Sequence, residues 1–198
     1  MTDFLFYLQL GWEHIISSDA LDHQLFILAL VAIFSFKDLK KVLILVTAFT
    51  IGHSVTLALS AFDIIRFPSN WIEFLIPCTI VFTALDNLIF SKNVEKLIKL
   101  NYFLALFFGL IHGMGFANSV RMMLAQEQSI TIPLFGFNVG LEIGQIAVVI
   151  IVLSIFYLLS TFLKLQLKEF RFSFIKISLF HLNPIIFEQL FKKNHIFM

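Results

Sequence analysis

The residues of this 198-residue chain that could do chemistry are histidines and carboxylates set inside long apolar runs. His112 lies in FFGLIHGMGFA, surrounded by Gly109, Gly113 and Gly115. His53 lies in FTIGHSVTL beside Ser54, and HIISSDALDH carries His14, Asp19, Asp22 and His23. FNVGLEIGQ places Asn138, Glu142 and Gln145 on one helical stripe. An ionisable side chain in hydrocarbon costs about 2.5–3.5 kcal/mol on insertion scales, so the default reading is a functional group facing a protein-lined cavity. Imidazoles with one or two carboxylates form an N/O ligand set that suits zinc, nickel, copper or non-haem iron. The expected metal ligands are His23, His53, His112, Glu142 and Asp22, with His14, Asp19, Ser54, Glu73, Asn138 and Gln145 as secondary candidates.

Each has a structural alternative. Asp19 can cap a helix and Asp22 can gain from the helix dipole. Ser54 and Thr56 can bond back to backbone carbonyls. Glu73 follows Trp71 at an interface where a carboxylate is cheap, and Asp86 lies a few residues before Lys92 and headgroups. Cys78 is the only cysteine, which excludes a disulfide framework and any CxxC site. Met114, Met122 and Met123 read as packing.

The positioning elements follow from composition. Hydrophobic residues make up 59% of the chain and charged ones 14%, with a mean hydropathy of +0.93, which places it among polytopic helical membrane proteins. Net charge near zero, with no basic cluster interleaved with aromatics, argues against nucleic acid. Runs of about 20 apolar residues predict transmembrane helices over 20–36, 41–62, 71–91, 99–120 and 135–163. Residues 4–16 predict a short re-entrant or interfacial lead-in. A sixth segment, 172–191, fits less well because it carries Lys176, His181, Asn183, Pro184 and Glu188. No linker or repeat interrupts the chain, so residues 1–198 read as one all-α membrane domain.

Lysines in 37–41, 92–99 and 164–176 fall in alternate loops, hence on one side, which makes that side cytoplasmic and puts the N-terminus outside. No charged leader precedes the first apolar segment, which is expected to remain in the mature protein. Counting about 1.5 Å per residue from the outer ends puts His53, His112 and Glu142 each roughly 11–13 Å deep, and Asp22 with His23 about 15 Å deep. One polar layer in the outer half of the bilayer is the expectation.

Taken together, GWEHIISSDALDH, FTIGHSVTL, EFLIPCTI, FGLIHGMGFA and FNVGLEIGQ resemble, in order and spacing, the HupE/UreJ family of small bacterial membrane proteins over about residues 11–145. The resemblance implies an inner-membrane protein with a hydrogenase or urease accessory role, of the kind described as nickel or related metal permeases. It carries no ligand assignment, and the tail 164–198 is more polar than the family's usual closing helix. Three functions fit the residues: a permease for nickel, cobalt, copper or zinc; a zinc-dependent intramembrane hydrolase acting on lipid; and a structural subunit with a polar network and no ion. The partners expected are the bilayer, a metal ion, and either a second copy or an accessory protein.

Overall fold

The structure, a computed structural model, describes residues 3–89, 94–124 and 130–163. The proposed sixth segment 172–191, the tail 164–198 and part of the lysine-rich loop 92–99 lie outside the described residues. Six α-helices are described: α1 (Asp3–Ile16), α2 (Leu21–Val31), α3 (Leu39–Ala61), α4 (Ser69–Ile89), α5 (Val94–Leu124) and α6 (Thr131–Leu163). No strand occurs among the described residues.

The beginning of the chain differs from expectation. Residues 4–16, expected as a short lead-in, fall in a 14-residue helix, α1, laid along α6. α2 has 11 residues, too few for a span. A turn of 3-10 helix, Ser18–Ala20, joins the two after an extended Ser17. Both halves follow α6 in the same direction: Phe4 lies against Gly136, Leu8 against Gly140 and Ile15 against Gly144. Leu25 and Leu28 then share a groove with Val148 and Val152. α1 and α2 therefore lie end to end along α6 with a break between them. The sequence hides this alignment because SSDALD breaks the apolar run in the middle.

The break leaves the last carbonyls of α1 without helical partners, a cost that needs an external donor. Gln24 supplies it: Nε2 donates to the carbonyls of Ile15 at 3.0 Å and Ser17 at 2.9 Å.

α3 and α5 run parallel and almost touch. A Cβ on Gly109 would lie 2.1 Å from the Phe49 carbonyl oxygen, and one on Gly113 would lie 2.4 Å from that of His53. The small-xxx-small spacing admits α3, and this contact brings His53 and His112 onto facing backbones. α4 runs antiparallel to α5, with Thr79 beside His112 and Asn87 beside Asn101. Asn87 also donates to the Ala29 carbonyl at 2.7 Å, fixing α2 against α4.

Apolar packing divides into two clusters along the bundle. One, with Tyr7, Ile15, Leu57, Leu134, Phe137 and Leu141, fills the end where α1 begins. The other, with Phe26, Leu45, Phe49, Phe108, Ile80 and Val149, fills the rest. On α3 and α5, His53 and His112 fall between members of the two clusters. The interruption between α1 and α2 occupies the same level.

Where α3 ends, Arg66 of the loop before α4 and Arg121 of the last turn of α5 converge on one carboxylate. Asp63, in the left-handed backbone region at φ 60°, bonds Arg66 and lies 3.4 Å from Arg121. The Arg66 hydrogen bond holds the Asp63 carboxyl below the usual carboxylate range. Arg121 also donates to the Ser60 carbonyl, tying the ends of α3 and α5 together.

Gly109→Ala is expected to destabilise the bundle by about 1–3 kcal/mol, the usual range for overpacking. Gly115→Ala, whose Cβ meets only the movable Ile76 Cδ1 at 3.0 Å, should cost far less. Thermal unfolding of the two variants in detergent, followed by loss of the monodisperse peak, checks the difference.

Candidate functional site

Four imidazoles meet at the level of the break. His14 comes from the last turn of α1, His23 from the first turn of α2, His53 from mid-α3 and His112 from mid-α5. Ring centroids lie 4.8 Å apart for His14–His23, 5.0 Å for His23–His112, 6.0 Å for His23–His53 and 6.1 Å for His14–His53. His23, His53 and His112 are 4%, 0% and 1% exposed, so these nitrogens have little access to water. Phe49, Phe116 and Phe137 wall the group, with Phe116 and Phe137 stacked at 5.2 Å.

Hydrogen bonds decide which nitrogens are free. Asp22 Oδ1 lies 2.9 Å from His23 Nδ1 and also accepts the His23 backbone N–H at 2.8 Å. A carboxylate only accepts, so His23 carries its proton on Nδ1 and leaves the Nε2 lone pair bare. Thr79 Oγ1 donates to the Ile76 carbonyl at 2.7 Å and lies 3.2 Å from His112 Nε2. With its proton committed, the hydroxyl accepts from His112 Nε2–H, which leaves Nδ1 bare. His14 Nε2, His23 Nε2, both nitrogens of His53 and His112 Nδ1 are buried without a hydrogen-bond partner in the protein. An imidazole held through one nitrogen with the other free is the usual second-shell arrangement of a metal-binding histidine.

A cavity of about 470 Å³ opens onto this group and is lined by His14, Asp22, His23 and His112. Its rim carries Ser17, Ser69 and Glu73, all exposed, so it connects the buried imidazoles to the surface. Met114, Gly115 and Phe116 complete one wall.

The sequence-derived residues separate accordingly. Asp22, His23, His53 and His112 lie together, and His14, ranked second from sequence, joins them. Glu142 does not fall in either group of side chains whose ligand atoms approach within 4.8 Å. Its Oε1 accepts from Thr47 at 2.6 Å, while Gln145 Oε1 accepts from Thr50 at 2.9 Å, so this stripe clasps α3. Equal depth did not bring Glu142 to the histidines because it belongs to the face of α6 that α3 covers nearer its start. Asn138 donates to its own helix at Leu134, and Ser54 donates back to Thr50. Glu73 stands at the cavity rim. Asp19 belongs to the 3-10 turn.

Thr79 escaped the sequence reading. A lone threonine in IPCTIVFT carries no signal, and only the antiparallel packing of α4 on α5 makes it a partner of His112.

The family described as HupE / UreJ protein matches residues 1–185. The chain belongs to the HupE/UreJ family. No curated protein and no solved structure matches it. Within this HupE/UreJ chain the match spans the four clustered histidines and Asp22, as well as most of the segment beyond α6.

The tautomers are directly observable. In ¹⁵N-histidine-labelled protein without metal, His23 should show a protonated Nδ1 and His112 a protonated Nε2. Thr79→Val should alter the His112 signals and leave those of His23 in place.

Proposed function

We propose that this chain is an integral membrane metal-handling protein that takes up a divalent transition metal through the buried histidine layer. Nickel is the ion favoured by the family resemblance; cobalt, copper and zinc fit the same donors. The observation that carries the reading is the set of five unpartnered imidazole nitrogens converging beside a surface-connected cavity. Neutral nitrogen donors with one carboxylate suit borderline transition ions over calcium or magnesium, which prefer oxygen.

A bilayer setting is supported by two helical stretches, Phe36–Ala61 and Thr131–Phe162, long and apolar enough to cross one. Large apolar side chains also point outward, including Ile51, Phe82, Phe103, Phe107, Ile151 and Phe162. In the proposed arrangement the chain is one domain with five passes in a bacterial inner membrane, the first of them the interrupted α1–α2. Its N-terminus and cavity mouth face outward and its lysine-rich loops face the cytoplasm. Glu73 at the rim gives an arriving cation a first carboxylate. Asp22, His23, His53 and His112 then serve as ligands with His14, while Glu142 and Gln145 hold α3 against α6.

A zinc-dependent hydrolase is the second reading. What favours it is cavity size: about 470 Å³ falls within the range of small-molecule pockets and exceeds the needs of a bare ion.

Protein purified without a histidine tag and dialysed against nickel or cobalt should retain about one ion per chain. Metal accumulation in proteoliposomes should fall at least ten-fold in His23→Ala. Accumulation no greater than in empty vesicles, together with metal-dependent ester or amide hydrolysis, would transfer the assignment to the hydrolase. A chain that retains no metal would refute both.

A further inference from the structure

The ligand atoms fall into two groups with one member in common. His14, His23 and His53 form one, and Asp22, His23 and His112 form the other; within each, every pair of ligand atoms lies within 4.8 Å. His53 and His112 share neither group. The two groups also differ in access. Asp22, His23 and His112 all line the cavity, as does His14 of the first group, whereas His53 does not line it and is 0% exposed.

His23 cannot serve both at once. Its Nδ1 is engaged by Asp22 at 2.9 Å, which leaves Nε2 as its only free donor atom. One lone pair binds one ion. We infer that the histidine layer holds two mutually exclusive stations for a single transition-metal ion: an entry station of Asp22, His23 and His112, and a deeper station of His14, His23 and His53. The inference deepens the metal-handling reading and rests on it.

The stations differ as a relay requires. The entry station carries a carboxylate whose negative charge offsets that of the ion, and it stands in contact with the cavity. The deeper station has neutral imidazoles alone, with His53 stacked beside Phe49 and Phe137. An ion that keeps its bond to His23 while exchanging Asp22 and His112 for His14 and His53 moves off the cavity wall toward His53 without ever being released. Nothing is oxidised or reduced in this exchange. His23 lies in the first turn after the helix break, at the junction of two short helices with different partners, α6 for one and α4 and α6 for the other.

The test uses the full chain in detergent micelles with cobalt(II) as the probe. Dialysis gives stoichiometry, the visible spectrum reports the ligand set, and excess EDTA gives release rates. Wild type should bind one cobalt and release it in two phases. His53→Ala should keep one cobalt with only the fast phase. His112→Ala should keep one whose release is at least ten-fold slower, and His23→Ala should keep none. Two cobalt ions per wild-type chain would overturn the inference. So would loss of binding in both His53→Ala and His112→Ala when these variants elute as monodisperse protein, because that pattern belongs to one four-ligand site. Single-phase release from wild type overturns it whatever the variants do. Absence of cobalt from wild type removes the metal-handling reading itself, an outcome distinct from the others.

Discussion

The constraint on which the structure turns is the burial of imidazole nitrogens that the protein leaves unpaired. A buried polar atom without a partner costs about 1–3 kcal/mol. Five of them at one level amount to a cost comparable with the whole stability of an ordinary domain, about 5–15 kcal/mol. A fold tolerates such a layer when the surrounding packing holds the rings in place and when a bound species repays the loss. Both conditions have a physical basis here. The apolar clusters on either side fix the layer in position, and the donor atoms have the chemistry of transition-metal ligands.

Backbone proximity gives the layer its rigidity. Glycine at 109 and 113 lets α5 approach the carbonyls of Phe49 and His53, and Gly140 does the same for α6 against Leu8. These contacts set the separation of the helices before any side chain of the site is considered. Asp22 and Thr79 then set ring orientation, each consuming one imidazole nitrogen and leaving the other bare. Position comes from glycine and orientation from two hydrogen bonds.

Much of this was legible in the chain. Helical periodicity and apolar run length located α3 to α6 to within a few residues, and depth counting selected His23, His53 and His112 as members of one layer. Depth, however, says nothing about azimuth. Glu142 has a similar depth yet meets Thr47, because the face of a helix that meets a given neighbour is decided by the packing of the whole bundle. The beginning of the chain is hard to read for a different reason. Hydropathy reasoning looks for continuous apolar runs, and SSDALD separates residues 4–16, short for a span, from the expected span 20–36, of which Leu21–Val31 is α-helical. Thr79 had no visible signal, since its role depends on a carbonyl and an imidazole contributed by tertiary contact.

The interruption between α1 and α2 also bears on how such a protein comes to be built. Neither a 14-residue nor an 11-residue helix has the length to settle across a bilayer alone, and the break leaves carbonyls to which the Gln24 side chain donates. α1 and α2 precede their lasting partners, α4 and α6, along the chain, so those partners are synthesised afterwards. The part of the chain that bears His14, Asp22 and His23 therefore reaches its final seat late in biogenesis. The imidazole layer is enclosed only once the rest of the bundle exists around it.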